Sequence, residues 1–172
     1  MRATPRPLAV LLALGLASAC SQVAQVKDGP STLSPAEAGA VRAKAHEAEA
    51  QKSWKVAWNS EIEAGAARER LEEIALGALA DDDGDAAGML KEIRRKWSGL
   101  TPPSEARLRA LSADAVKTGK WKRAAEIEIA GAADAPEFRR AWDVYRAAPP
   151  EPALDVLDQI QRARADLARG ER

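Results

Sequence analysis

Helix-breaking residues recur along this chain and divide it into a series of short segments. Gly, Pro, Asp or other polar residues cluster at 51–53, 81–84, 99–103, 118–119, 134–136 and 149–150. The stretches between them are rich in Ala, the strongest helix former, and none shows the apolar–polar alternation typical of a strand. We therefore predict an all-α fold, with helices at 35–50, 53–64, 67–80, 85–97, 104–117, 120–133, 136–147 and 151–168.

The segment Ser34-Pro35-Ala36-Glu37 indicates where the folded domain begins. Ser34 is suited to cap the helix, Pro35 fits the first helical position, and Glu37 completes a capping box. We expect a helical domain over 34–168, followed by a short tail at 169–172.

A sequence pattern repeats inside this domain. Trp54-Lys55-Val56-Ala57 returns 67 residues later as Trp121-Lys122-Arg123-Ala124, and a Gly-Ala-Ala segment follows both copies. The spacing corresponds to two units of about 34 residues, the length of a helix–turn–helix repeat. The unit with Leu108, Leu111, Gly119-Lys120-Trp121, Ala124 and Pro136 resembles the tetratricopeptide repeat most closely. This resemblance implies about four antiparallel helix pairs stacked as a short solenoid. An Ala-rich helical bundle is the alternative.

The first twenty residues have the features of an export signal. Arg2 and Arg6 precede the apolar run 8–16, which is too short for a membrane-spanning helix of about 20 residues. The run leads into Leu16-Ala17-Ser18-Ala19-Cys20, which resembles the lipobox of bacterial lipoproteins. The alternative is an ordinary signal peptide cleaved after Ala19, which would leave a free thiol.

The lipobox resemblance implies a lipidated Cys20 and cleavage of the signal peptide 1–19, with 20–33 as a flexible tether. Ser21 replaces the Asp that retains related lipoproteins in the inner membrane, so the resemblance implies the periplasmic face of the outer membrane. The cleaved chain would have 153 of the 172 residues and, without Arg2 and Arg6, 24 basic against 26 acidic side chains.

The composition excludes several classes of site. A single Cys allows no intramolecular disulfide and no four-cysteine zinc site, and a single His allows no paired-histidine site. Near-neutral charge argues against nucleic-acid binding. The acidic turn Asp81–Asp85 fails as an EF-hand, because the first and twelfth loop positions would be Leu79 and Leu90. We therefore predict no metal, no cofactor and no catalytic residues.

The repeat register predicts a groove lined by the first helix of each pair. Arginines spaced along such a groove suit an extended partner segment that carries carboxylates. The alternative is that they are exposed helix residues paired with nearby acids. The predicted groove positions are Arg42, His46, Glu49, Ile74, Ala78, Asp81, Arg109, Ala113, Arg139, Asp143 and Arg146.

These features favour a lipid-anchored adaptor or scaffold. The expected partners are the membrane, through the lipid on Cys20, and another envelope protein or an extended peptide segment, in envelope assembly or secretion. A peptidoglycan-acting enzyme, a wall-binding accessory lipoprotein and a purely structural lipoprotein are the alternatives.

Overall fold

The computed structural model describes residues 23–26, 31–132 and 138–170, and within these residues it contains eight α-helices and no strand. The all-α prediction is confirmed. None of the described helices combines the length and apolarity needed to cross a membrane. The predicted signal peptide and Cys20 lie outside the described residues. The helices are α1 (Pro35–Ala50), α2 (Trp54–Glu63), α3 (Arg68–Ala80), α4 (Ala86–Trp97), α5 (Pro102–Lys117), α6 (Trp121–Gly131), α7 (Arg139–Ala147) and α8 (Pro150–Ala168).

The first helix begins where the sequence predicts. The backbone N–H of Ser34 donates to Glu37 Oε2 over 2.8 Å, and the Ser34 hydroxyl oxygen accepts from the backbone N–H of Glu37. Both halves of the capping box are therefore present, and Pro35 occupies the first turn.

The helices pack in consecutive pairs, α1 with α2, α3 with α4, α5 with α6 and α7 with α8. Further packing joins α2 to α3, α3 to α5, α4 to α6, and α6 to both α7 and α8. Among the described residues, the principal contacts thus connect helices that are neighbours or next-but-one in chain order. This order of contacts is the one expected of stacked helix pairs.

Two glycines allow close approach between helices of this stack. A Cβ added at Gly77 would lie 2.5 Å from Trp54 Cη2, and one added at Gly131 would lie 2.5 Å from Leu108 Cδ1. Leu108 is buried, and the ring of Trp54 packs against the core. The small residues of this chain therefore leave room for a few bulky side chains at helix crossings.

A buried carboxylate joins α3 to the start of α5. Glu72 has no exposed surface, and it accepts hydrogen bonds from the Thr101 backbone N–H at 3.0 Å, the Thr101 hydroxyl at 2.5 Å and Arg68 Nε at 2.8 Å. Although burial opposes ionisation, hydrogen bonds from Ser104, Thr101 and Arg68 hold the pKa of Glu72 below its ordinary value. Because Thr101 is the N-cap, α5 begins two residues earlier than predicted.

The segment 23–26 packs on the helical domain, which differs from the flexible tether predicted over 20–33. Trp58 Nε1 donates to the Ala24 carbonyl oxygen at 2.9 Å, and the Ala24 N–H donates to Asn59 Oδ1 at 3.2 Å. Val26 is buried. The prediction was wrong for these residues because the apolar side chains within this polar stretch contribute to the core.

Candidate functional site

The most developed cluster of charged side chains lies around an open pocket where α5, α6 and α7 meet. The pocket has a volume of about 410 Å³. Its lining combines basic, acidic and apolar residues, namely Glu105, Leu108, Glu128, Arg139 and Arg140, with residues 98–100 and 131–132.

Glu105 holds two arginines at one edge of the pocket. Its Oε1 accepts from Arg109 Nη2 at 2.6 Å and also from Arg140 Nη2. The hydrogen bonds from Arg140 and Arg109 hold the pKa of Glu105 below its ordinary value, because they stabilise the ionised carboxylate. The guanidinium groups of α5 and α7 are thereby brought to one place.

Glu128 lies deeper in the same pocket and has the opposite electrostatic environment. Only 9% of its surface is exposed, and Arg140 Nη1 lies 3.9 Å from its Oε2. Burial raises the pKa of Glu128 above its ordinary value, although a hydrogen bond with Ser112 and the charge of Arg140 offset part of this effect. The pocket therefore contains two carboxyl groups whose pKa values are shifted in opposite directions.

The structure brings one of the predicted groove residues, Arg139, into the lining of this pocket and two others near it. Arg109 and Asp143 both act electrostatically on Glu128, and Arg139 lines the pocket directly. Among the described residues Arg139 forms no ion pair, and its side chain is exposed. Arg146 lies farther along α7 and pairs with Asp143 at 2.5 Å. The charge of Arg139 is thus available to an acidic group on a partner.

A second network of ion pairs is centred on Arg70, and it includes Glu49, one of the predicted groove residues. Arg70 donates to Glu61 at 3.0 Å, to Glu73 at 2.8 Å and to Glu49. Burial lowers the pKa of Arg70, but the hydrogen bonds to Glu73, Glu61 and Glu49 outweigh it and hold the pKa above the ordinary value. This network joins α1, α2 and α3.

A histidine adjoins the same network. The donor atoms of His46, Glu49 and Glu61 lie within 4.8 Å of one another, a spacing that a metal ion could bridge. Arg70 already bonds both carboxylates, so its guanidinium supplies the positive charge that a metal ion would bring. We interpret the cluster as a structural ion-pair network.

The groove prediction is wrong for α3. Ile74 and Ala78 are fully buried in the hydrophobic core and cannot contact a partner. Arg42, although exposed, donates to the Ala64 carbonyl oxygen at 3.2 Å and so supports the α1–α2 pair. The remaining predicted positions lie in three places: 42–49 on α1, Asp81 in the acidic turn, and 109–146 on α5 and α7.

The acidic turn at 81–85 is neutralised by basic side chains. Lys52 pairs with Asp81 at 3.0 Å, Lys55 with Asp85 at 3.3 Å, and Arg123 with Asp82 at 2.6 Å. Trp54 Nε1 also donates to Asp81 at 3.0 Å. The turn therefore connects α2, α3 and α6 through ion pairs and a hydrogen bond.

The sequence analysis did not identify Glu105, Glu128 or Arg140 as parts of a site. One signal was present, because Glu128 lies between Ile127 and Ile129, and an acid flanked by two large apolar residues on a helix is a candidate for a buried carboxyl group. Comparisons with models of protein families, with curated protein sequences and with solved structures gave no match.

Proposed function

We propose that this protein is a lipid-anchored cell-envelope protein that holds another envelope protein, or an extended segment of one, at the pocket between α5, α6 and α7. The lipobox-like residues 16–20 support anchoring through Cys20. Several acyl chains give stable attachment, because each buried CH₂ contributes about 0.8 kcal/mol. The resemblance to lipoproteins supports the outer membrane, with the domain in the periplasm.

The observation that carries the adaptor proposal is the arrangement of arginines at the pocket. Arg109 and Arg140 are held by one carboxylate, Glu105, and Arg139 adds a further positive charge beside them. An arginine guanidinium binds a carboxylate through two parallel hydrogen bonds, which fixes both its position and its orientation. An acidic side chain or a carboxyl terminus of a partner fits this arrangement.

The adaptor proposal is tested by reversing the charge at the pocket. The Arg109→Glu/Arg139→Glu variant should lose a partner that the native chain retains in a periplasmic pull-down, while its helical circular dichroism stays unchanged. The Arg162→Glu/Arg164→Glu variant is the matched control, because both side chains are exposed on α8 and the change in charge is the same. Equal capture by all three proteins would refute the role of the pocket.

A second candidate function is supported by the two carboxyl groups of the pocket. Arg140 lies between Glu105, which has a lowered pKa, and Glu128, which has a raised pKa. Two carboxyl groups whose pKa values are shifted in opposite directions are also the pair that glycosidases use to cleave a glycosidic bond. The alternative function is therefore action on peptidoglycan, or binding to it.

Incubation with purified peptidoglycan separates these functions. Release of soluble fragments that the Glu128→Gln variant no longer produces would identify an enzyme, and co-sedimentation without release would identify a wall-binding protein. The adaptor proposal predicts neither result.

A further inference from the structure

The segment 23–26 fixes the point at which the chain leaves the domain towards Cys20. A Cβ added at Gly88 would lie 3.2 Å from Val23 Cγ2, so Val23 lies over the α4 backbone. Arg95 Nη2 donates to the Val26 carbonyl oxygen at 3.2 Å. Together with the hydrogen bonds of Trp58 and Asn59, these contacts place the segment along α2 and α4.

This attachment limits the distance between the domain and an anchor at Cys20. Three residue steps separate Cys20 from Val23, and an extended chain of this length spans at most about 10 Å. If the acyl chains of Cys20 are in a bilayer, the part of α2 and α4 around Val23 must therefore lie close to the lipid headgroups.

The surface that surrounds this point has the chemistry of a membrane contact. Gly88, Lys91 and Arg95 follow one another on one stripe of α4, and Lys91 and Arg95 are exposed. Arg95 pairs with Glu92 at 2.9 Å, yet α4 as a whole carries four basic residues and one acid. On α2, Val56 lies one turn before Asn59, and 43% of its surface is exposed. Basic residues and an exposed apolar side chain on the two helices that contact the segment 23–26 are suited to an anionic interface.

We propose that the exposed stripe of α4 with Lys91 and Arg95, together with Val56 of α2, is the surface with which this domain contacts the headgroups of an anionic lipid bilayer. This inference rests on the proposed anchoring at Cys20. The occupant is the bilayer because the chain leads from this surface to the anchor within three residue steps. The pocket of α5, α6 and α7 is formed by other helices and is open to a protein partner.

The test uses the chain that begins at Cys20, coupled through its single thiol to a maleimide lipid in phosphatidylcholine vesicles made with or without phosphatidylglycerol. Lysine acetylation is followed by peptide mass spectrometry. An anionic surface stabilises a nearby charged ammonium group by about 1 kcal/mol, which lowers the fraction of the reactive neutral amine about fivefold. Lys91 should therefore react about fivefold more slowly on the anionic vesicles than on the neutral ones. Lys122, exposed at the start of α6, is the internal control and should react equally on both.

A charge-reversal variant provides a second test of the same surface. The Arg95→Glu variant should lose the protection of Lys91, whereas Lys120→Glu should retain it. Equal reaction of Lys91 on the two kinds of vesicle, or equal protection in the Arg95→Glu variant, would overturn the proposal. Because Cys20 is coupled to the lipid chemically, this result does not depend on acylation in the cell. Acylation of Cys20 in the cell is tested separately, by the mass of the amino-terminal peptide isolated from cell membranes.

Discussion

Replacement of Glu72 should cause one of the largest losses of stability that a single change can produce in this domain. Glu72 is fully buried and accepts hydrogen bonds from Arg68, from the Thr101 backbone and from the Thr101 hydroxyl. The Glu72→Ala variant leaves these donors without an acceptor and leaves Arg68 without its ion-pair partner. Removing the acceptor of a buried hydrogen bond costs about 1 to 3 kcal/mol in the free energy of unfolding, and Glu72 accepts from three donors.

The neighbouring Glu73 provides the matched control. It pairs with Arg70 at 2.8 Å, but 57% of its side chain is exposed. An exposed ion pair contributes about 0 to 1 kcal/mol, so Glu73→Ala should change stability little. Urea denaturation followed by circular dichroism at 222 nm measures both variants. A Glu72→Ala variant within about 1 kcal/mol of Glu73→Ala would refute the reasoning, because it would mean that this carboxylate does not hold α5 to α3.

The dependence on pH gives a second readout for Glu72. Its pKa is lowered in the folded protein from the ordinary value of 4.5, so its contribution is fully present above that value. The contribution is lost as the pH falls through the folded-state pKa. The native chain should therefore lose its stability advantage over Glu72→Gln in acid and regain it at neutral pH. A difference that does not change with pH would contradict the ionised state of Glu72.

Three further predictions concern the buried Gly77, the exposed Gly39 and the buried Glu128. Gly77→Ala should destabilise the domain by about 1 to 3 kcal/mol, since its Cβ would lie 2.5 Å from the Trp54 ring. Gly39→Ala, where nothing lies within 4 Å, should stabilise α1 by about 0.5 to 1 kcal/mol in the same urea assay. Glu128→Gln should raise the melting temperature at neutral pH, because the pKa of Glu128 is raised and its ionised form is disfavoured in the folded protein. This gain should disappear as the pH falls below the ordinary value of 4.5, where the carboxyl group is protonated in both states.

Local signals in the sequence were sufficient to predict the helices. The capping box at Ser34 and the breaks at Gly, Pro and Asp depend on neighbouring residues, and the structure confirms an all-α chain with eight helices in its described parts. The start of α5 was predicted two residues too late because its cap involves Glu72, which is distant in sequence.

The candidate site could be predicted only in part, because its geometry depends on how the helices pack. Arg109 and Arg139 were expected on one surface, and both lie at the pocket around Glu128. Ile74 was assigned to that surface from the repeat register, but it is buried, which the register alone did not indicate. The roles of Arg140 and Glu105 depend on a contact between residues 35 positions apart, for which no local pattern exists.

Site-specific photo-crosslinking in the native cell tests most directly whether this is an anchored protein that holds a partner. The crosslinker replaces Ala113, which is exposed on α5 one turn beyond Arg109, and the control position is Ala165, which is exposed on α8. We predict a discrete adduct from position 113 that is absent from position 165 and is lost with either Arg109→Glu/Arg139→Glu or Cys20→Ser. An adduct that persists in both variants, or no adduct at position 113, would contradict the account.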